Sequence, residues 1–189
     1  MYHKILNEAI DELKETTAQK ASIETELNVA SRIQMSMLPS KFPDREGLDM
    51  YASMTPATNV GGDLYDYLLK GDDLYFCLGD VSGKGVPASL FMAQAPRLFR
   101  ALAKQQMMPA EIATRMNNEL AENNENGMFV TMFLAKADLV SGHMDFCNAG
   151  HNPPYISGVG GGQFLEMLPN APIGLWPGLQ YEGEEIANV

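Results

Sequence analysis

The sequence predicts an α+β layer fold preceded by one long helix. Three features carry that expectation. Residues 1–38 contain no proline or glycine, and apolar side chains recur there at alternating spacings of four and three. From Leu48 the pattern changes to short β-like runs separated by turn residues. Two helical stretches then lie between two groups of such runs, an order that favours layers over regular βαβ winding.

The first element is the helix over 1–38. Tyr2, Leu6, Ala9, Leu13, Thr16, Lys20, Ile23, Leu27, Ala30, Gln34 and Met37 form a heptad seam. The seam is broken by Thr16 and Lys20 and again by Gln34. At 1.5 Å per residue the helix is about 55 Å long, too long and too polar to fold back fully on a small domain. A dimerising coiled coil that carries a signal from upstream is the favoured reading. A solvated helix packing only its last two turns is the other. Pro39 ends the helix, because the residue before a proline avoids the α region.

The run LDMYASMTP (48–56) is expected to be the first strand. LYDYLLK and DLYFCLGD follow, joined by Lys70-Gly71-Asp72, which suits a tight hairpin. A helix is expected from about Pro87 to Gln106. A second starts at Pro109, in the first turn, and stops at Gly127. MFVTMFLAKADL, GHMDFCNAG and PPYISG return to strand character, GVGGG reads as a turn, and QFLEML as a further strand. No internal repeat is visible.

Composition narrows the function. The net charge of −11, from 24 acids and 13 bases, argues against nucleic acid as a partner. No apolar run reaches membrane-spanning length: the best, from Val86 to Ala103, is broken by Pro96, Arg97 and Arg100. The first residues do not read as a secretory signal. Cys77 and Cys147, far apart in strand-like runs, read as reduced core residues of a cytoplasmic protein.

LGDVSGKGVPAS (78–89) invites a nucleotide-binding reading, which its spacing rejects. A Walker loop needs four residues between its first glycine and Gly-Lys. Gly79 to Gly83 leaves three, and Gly85 stands where the hydroxyl belongs. Asp80 remains, at the end of a strand. Ser82, Gly83 and Gly85 after it let the chain turn and a ligand approach. ATNVGGDLYDY has the same form: Gly61 and Gly62 bend the chain, and Asp63 opens the next strand. With a turn at 70–72, Asp63 and Asp80 come out roughly opposite each other. Two adjacent carboxylates repel unless a cation or proton is shared, and hard oxygen ligands select Mg²⁺ or Mn²⁺. Taken singly, each aspartate also reads as a turn or capping residue. In FCNAGHNPPY, His151 could be an acid, a base or a ligand, while Asn148 and His151 more commonly fix such a loop by bonding its backbone.

Together, ASRIQMSMLP, VGGDLYDY, LGDVSGKGVPASL, MFVTMFLAKADL, CNAGHNPPY and APIGL resemble, in order and spacing, the SpoIIE/RsbU-type serine phosphatases. These form the bacterial branch of the metal-dependent PPM (PP2C-like) phosphatases, and the resemblance runs from about Ala30 onward. It implies a PP2C-like β-sandwich flanked by helices over 39–189, with 1–38 as a linker that joins a sensor and dimerises. It implies that Asp63 ligates metal, that Asp80 bridges two Mn²⁺ or Mg²⁺ ions, and that the Val81 carbonyl adds a ligand. Gly62, Gly83, Gly85, Asn148 and His151 would support the active-site loops. The implied substrate is a phosphoserine or phosphothreonine protein, typically of the STAS anti-anti-sigma class. A water activated by the metals, not a protein nucleophile, would attack phosphorus.

The sequence also departs from the family. Members continue with a strand ending in Thr-Asp-Gly and a late Asp-Asp. After His151 the acids here are Glu166, Glu182, Glu184 and Glu185, none in a matching motif. A phosphatase lacking its C-terminal part is therefore expected, in the cytoplasm, with any tether to a membrane sensor lying upstream in its full-length form. The competing expectation is a non-catalytic signalling module with an incomplete metal site.

Overall fold

The computed structural model describes residues 2–56, 59–158 and 160–187. Helix α1 (Tyr2–Met37) leads into β1 (Leu64–Lys70) and β2 (Asp73–Val81). Helices α2 (Gly85–Met92), α3 (Ala95–Ala103) and α4 (Pro109–Ala121) follow. The chain then forms β3 (Val130–Asp138), β4 (His143–Ala149), the short pair β5 (Tyr155–Gly158) and β6 (Gly161–Phe164), and β7 (Glu184–Ile186). The main sheet is antiparallel throughout, in the order β1-β2-β3-β4-β7.

Period-two alternation divides this sheet into two chemically distinct faces. Leu64, Tyr75, Cys77, Leu134 and Cys147 point to one face and join the main core with Phe91, Phe99, Ile112 and Met116 from α2–α4. Phe76, Phe133, Ala135, Met144 and Phe146 point to the other and pack with Leu165, Met167 and Ile186. Phe133 and Phe146 stack at 5.8 Å between centroids. The β5–β6 hairpin forms a second, two-stranded sheet. The predicted architecture of antiparallel sheets flanked by helices, behind a long N-terminal helix, is therefore present.

Several boundaries differ from expectation. The run 48–56 forms no strand; Leu48 makes only an isolated bridge with Arg45. The helix expected over 87–106 is two helices. Pro96 lacks an N–H, so it stands in the first turn of α3 rather than inside a continuous helix. Helix α4 ends at Ala121, before Gly127, because Asn124 takes over the chain. Its Nδ2 donates to the carbonyls of Met128 (2.6 Å) and Gly174 (2.9 Å), and its Oδ1 accepts from Met128 N. QFLEML is strand only through Phe164. The three-residue β7 was not foreseen. Cys77 and Cys147 are free and buried, as the sequence suggested.

Most of α1 stands clear of the domain. Tyr2, Leu6, Leu13 and Ile23 of the seam are exposed. Among the described residues of α1, Gln34 alone is buried. After Pro39 the chain runs along β1, where the hydroxyls of Tyr65 and Tyr67 donate to the carbonyls of Pro39 and Lys41.

Candidate metal centre at the β1–β2 end

The register of β1 and β2 places the two aspartates. Leu64 pairs with Gly79, and Val81 N donates to Gly62 O at 3.3 Å. Asp63 and Asp80 therefore face each other in the position between these two links. Both belong to the sheet face opposite the helices. Asp80 is exposed as a residue, yet its carboxyl is pushed above its ordinary range. Partial burial of the carboxyl comes first among the causes, followed by the charge of Asp63 and a hydrogen bond with it; His151 opposes them. Like charges directly opposite each other in a sheet are destabilising, so the pair favours a shared proton or cation.

Glycine at 62 keeps the neighbouring carbonyl open. A Cβ there would stand 2.8 Å from the Val81 carbonyl oxygen and 3.1 Å from its Cβ. Two carboxylates and an adjacent carbonyl are an all-oxygen donor set, which fits a hard divalent ion. Gly83 and Gly85, at φ +86° and +71°, carry the chain from Val81 into α2 through left-handed backbone. Ser82 pins that turn to the start of β3: its N donates to Phe129 O at 2.8 Å, and its Oγ accepts from Phe129 N at 3.0 Å. Lys84 caps α2 with its backbone only, and its side chain is exposed.

His151 comes to the same place from another direction. Thr131, opposite Asp80 on β3, donates its hydroxyl to Asp80 O at 3.2 Å and lies 3.0 Å from His151 Nδ1. Burial lowers the His151 pKa, while the charges of Asp80 and Asp63 raise it. His151, Asp63, Tyr65, Leu78, Ser53 and Thr55 line one cleft. Asn148 does what a loop-fixing residue should: its Nδ2 donates to His151 O (2.9 Å) and its Oδ1 accepts from His151 N (3.0 Å). Thus Asn148 holds the loop, and His151 is held beside the aspartates.

Four supports were missed in the sequence. Gln34, which read as a break in the seam, donates from Nε2 to Gly61 O (2.7 Å) and accepts at Oε1 from Gly61 N (3.0 Å). Asn28 of α1 accepts from Asn59 nearby. Thr131 looked like an ordinary strand residue. Buried Asn117 of α4 anchors the APIGL segment, accepting from Gly174 N and donating to Trp176 O. That segment is bonded in both directions, Ile173 to Val130, at the start of β3.

A family model described as Stage II sporulation protein E (SpoIIE) matches residues 70–187. The chain belongs to this family. It is similar to the phosphoserine phosphatase RsbU of Bacillus subtilis (strain 168), at 29% identity over 133 residues, covering 70% of this chain and 40% of RsbU. It is 31% identical over 183 residues to the protein IcfG of Synechocystis sp. (strain ATCC 27184 / PCC 6803 / Kazusa), covering 77% of this chain and 29% of IcfG. Among solved structures, the SiaA-PP2C domain of Pseudomonas aeruginosa aligns with a TM-score of 0.74 and 23% identity, over 91% of this chain and 70% of that one. The chain spans less than half the length of the curated relatives it matches. Among the described residues, no helix is long and apolar enough to cross a membrane.

Proposed function

We propose that this chain is part of a bacterial signalling phosphatase that hydrolyses phosphoserine or phosphothreonine in a protein. The observation that carries the reading is the opposition of Asp63 and Asp80 across the end of the β1–β2 pair. Names of relatives support it: RsbU and RsbP are phosphoserine phosphatases, and the RsbX structure is described with magnesium. On this reading Asp63, Asp80 and the Val81 carbonyl hold Mn²⁺ or Mg²⁺, with two ions in the complete site. When bound, such ions activate water and neutralise phosphoryl charge.

The chain's own residues have separable tasks. Asp80 and Asp63 supply negative charge at one point. Gly62 keeps the Val81 carbonyl uncovered. Gly83 and Gly85 bend the chain away so that a bulky phosphoprotein can approach. Asn148 and Thr131 hold His151 beside the cleft, where its imidazole can bond a phosphoryl or leaving oxygen. Residues 39–189 would form the phosphatase domain and 1–38 a linker that dimerises through its exposed seam. The substrate class is a STAS-type anti-anti-sigma phosphoprotein, and the location is the cytoplasm, with any membrane tether upstream.

The test is Mn²⁺-dependent phosphate release from a phosphoserine STAS protein by a full-length version. Asp63→Asn and Asp80→Asn should each reduce the rate by at least about 10²-fold. Rates untouched by both substitutions would overturn the assignment. Sedimentation that finds only monomer at high concentration, with residues 1–30 intact, would remove the dimer.

A further inference from the structure

The helix-facing side of the sheet carries a second convergence of ligand atoms, at its β4–β7 edge. His143 and Asp145 are two apart on β4 and so share a face. Asp145 pairs directly with Glu185 of β7. His143 Nε2 lies 3.5 Å from Asp145 Oδ1 and 3.6 Å from Glu185 Oε2. One donor atom from each residue falls within 4.8 Å of the other two. Asp63 and Asp80 belong to the opposite face, so the two groups are separate.

The electrostatics of this edge leave a positive charge to be supplied. Asp145 and Glu185 are like charges directly across a strand pair, an unfavourable arrangement. Lys136 is the register neighbour of Asp145 on the other side, but its ammonium is 3.2 Å from Asp73. The imidazole of His143 is thus the group within reach of both carboxylates, and its Nε2 completes a set of three ligand atoms with them. A second observation comes from Tyr75, which lies in the same cross-strand row, Tyr75–Lys136–Asp145–Glu185. Its side chain is fully buried, and its hydroxyl is the one buried side-chain polar atom among the described residues without a hydrogen-bond partner. That hydroxyl is within the influence of Asp73 and Asp145. Water carried on an ion at Asp145 would give it a partner. Asp145 and Glu185 also line a cleft against Pro109 and Ala110, where such water has room.

We propose that His143, Asp145 and Glu185 form a second metal site, which takes a borderline divalent transition-metal ion, Zn²⁺ or a similar one, and staples β7 to β4. One imidazole nitrogen with two carboxylate oxygens suits such ions better than Mg²⁺, which prefers all-oxygen surroundings. Ligand atoms 3.5–3.6 Å apart are close to the spacing of ligands about 2.1 Å from a shared ion, so small side-chain rotations complete the site. Strand β7 has only three paired residues, and the ion would add a cross-strand link to them.

The test is a calorimetric titration of the chain with ZnCl₂ in an Asp63→Asn/Asp80→Asn background, which silences the other centre. One equivalent of Zn²⁺ is expected, undisturbed by millimolar Mg²⁺. His143→Gln should weaken it at least tenfold, and Glu185→Gln should also weaken it. Zn²⁺ should raise the melting temperature of the unsubstituted face and not that of His143→Gln. Binding that is absent at about 100 μM Zn²⁺, or undiminished in both His143→Gln and Glu185→Gln relative to the unsubstituted face, would overturn the site; both substitutions fall on partly exposed side chains, where the fold should tolerate them. The result is independent of the phosphatase reading, whose test uses Mn²⁺ and the other face.

Discussion

Gln34 holds Gly61 by both of its backbone groups, at 2.7 Å and 3.0 Å, and Gly61 stands two residues before Asp63. The amide is 4% exposed, so neither group has water as a ready substitute. Gln34→Leu removes both bonds and keeps the volume. It is expected to cost about 1–3 kcal/mol and to weaken Mn²⁺ binding at Asp63. Urea denaturation and calorimetry check the two effects. Unchanged Mn²⁺ affinity would mean that the clamp serves stability alone.

Gly62 and Gly71 are glycines for different reasons, and alanine separates them. At Gly62 the new Cβ meets the Val81 carbonyl at 2.8 Å; at Gly71 it meets nothing within 4 Å, but φ is +64°. Gly71→Ala is expected to cost about 1 kcal/mol of backbone strain and leave metal affinity alone. Gly62→Ala should displace Val81 and reduce metal affinity. Equal metal affinities in the two variants would contradict the role given to Gly62.

Asp66 predicts a pH dependence. It is 3% exposed and receives Arg100 Nε at 2.9 Å, Arg100 Nη2, and Tyr67 N at 2.8 Å. Burial nevertheless outweighs these partners and raises its pKa above 3.8. The folded state therefore holds the proton more tightly than the unfolded chain. Stability linked to this group is present at low pH and is lost as pH rises from about 3.8 through the raised value. Asp66→Asn lacks that dependence. Urea midpoints measured from pH 4 to 7 should show the advantage of Asp66 over Asn shrinking as pH rises; a widening advantage would reverse the sign. Asp66→Ala strands a partly exposed Arg100 and should cost about 1–3 kcal/mol, below the figure for a fully buried pair.

The two thiols should be silent in the folded state. Burial pushes Cys147 to about 12 and Cys77 well above its ordinary value. At pH 8 the thiolate fraction of a group near 12 is about 10⁻⁴. Iodoacetamide labelling of both should be at least about 10³-fold slower than in urea. Rapid labelling of Cys147 in the native protein would show that β4 opens locally.

The strand pair that brings Asp63 to Asp80 was legible because a two-residue turn and period-two side chains leave one register. The core cysteines were legible for the same reason. Less so were features in which a polar side chain acts on distant backbone. Gln34, Asn117 and Asn124 carry no local pattern, since their partners lie 27, 57 and 50 residues away. Thr131 is a normal strand residue until His151 is brought beside it. The division of the helix at Ala93–Gln94 was hidden because Pro96 is tolerated in a first turn as well as disruptive inside one. His143, Asp145 and Glu185 were invisible because β7 has too few residues to show a period.

Helix α1 is engaged with the domain through its last turns, so what it can pass to Gly61 is an angle. Successive residues are about 100° apart around the axis. The azimuth of the seam near Leu6 relative to Gln34 is thus set by the number of residues between them. One residue inserted near Lys20 leaves the Gln34–Gly61 clamp intact but turns every seam residue upstream by about 100°. Seven restore the phase to within about 20°. In the proposed linker role, the helix would act as a shaft whose timing is written in its length.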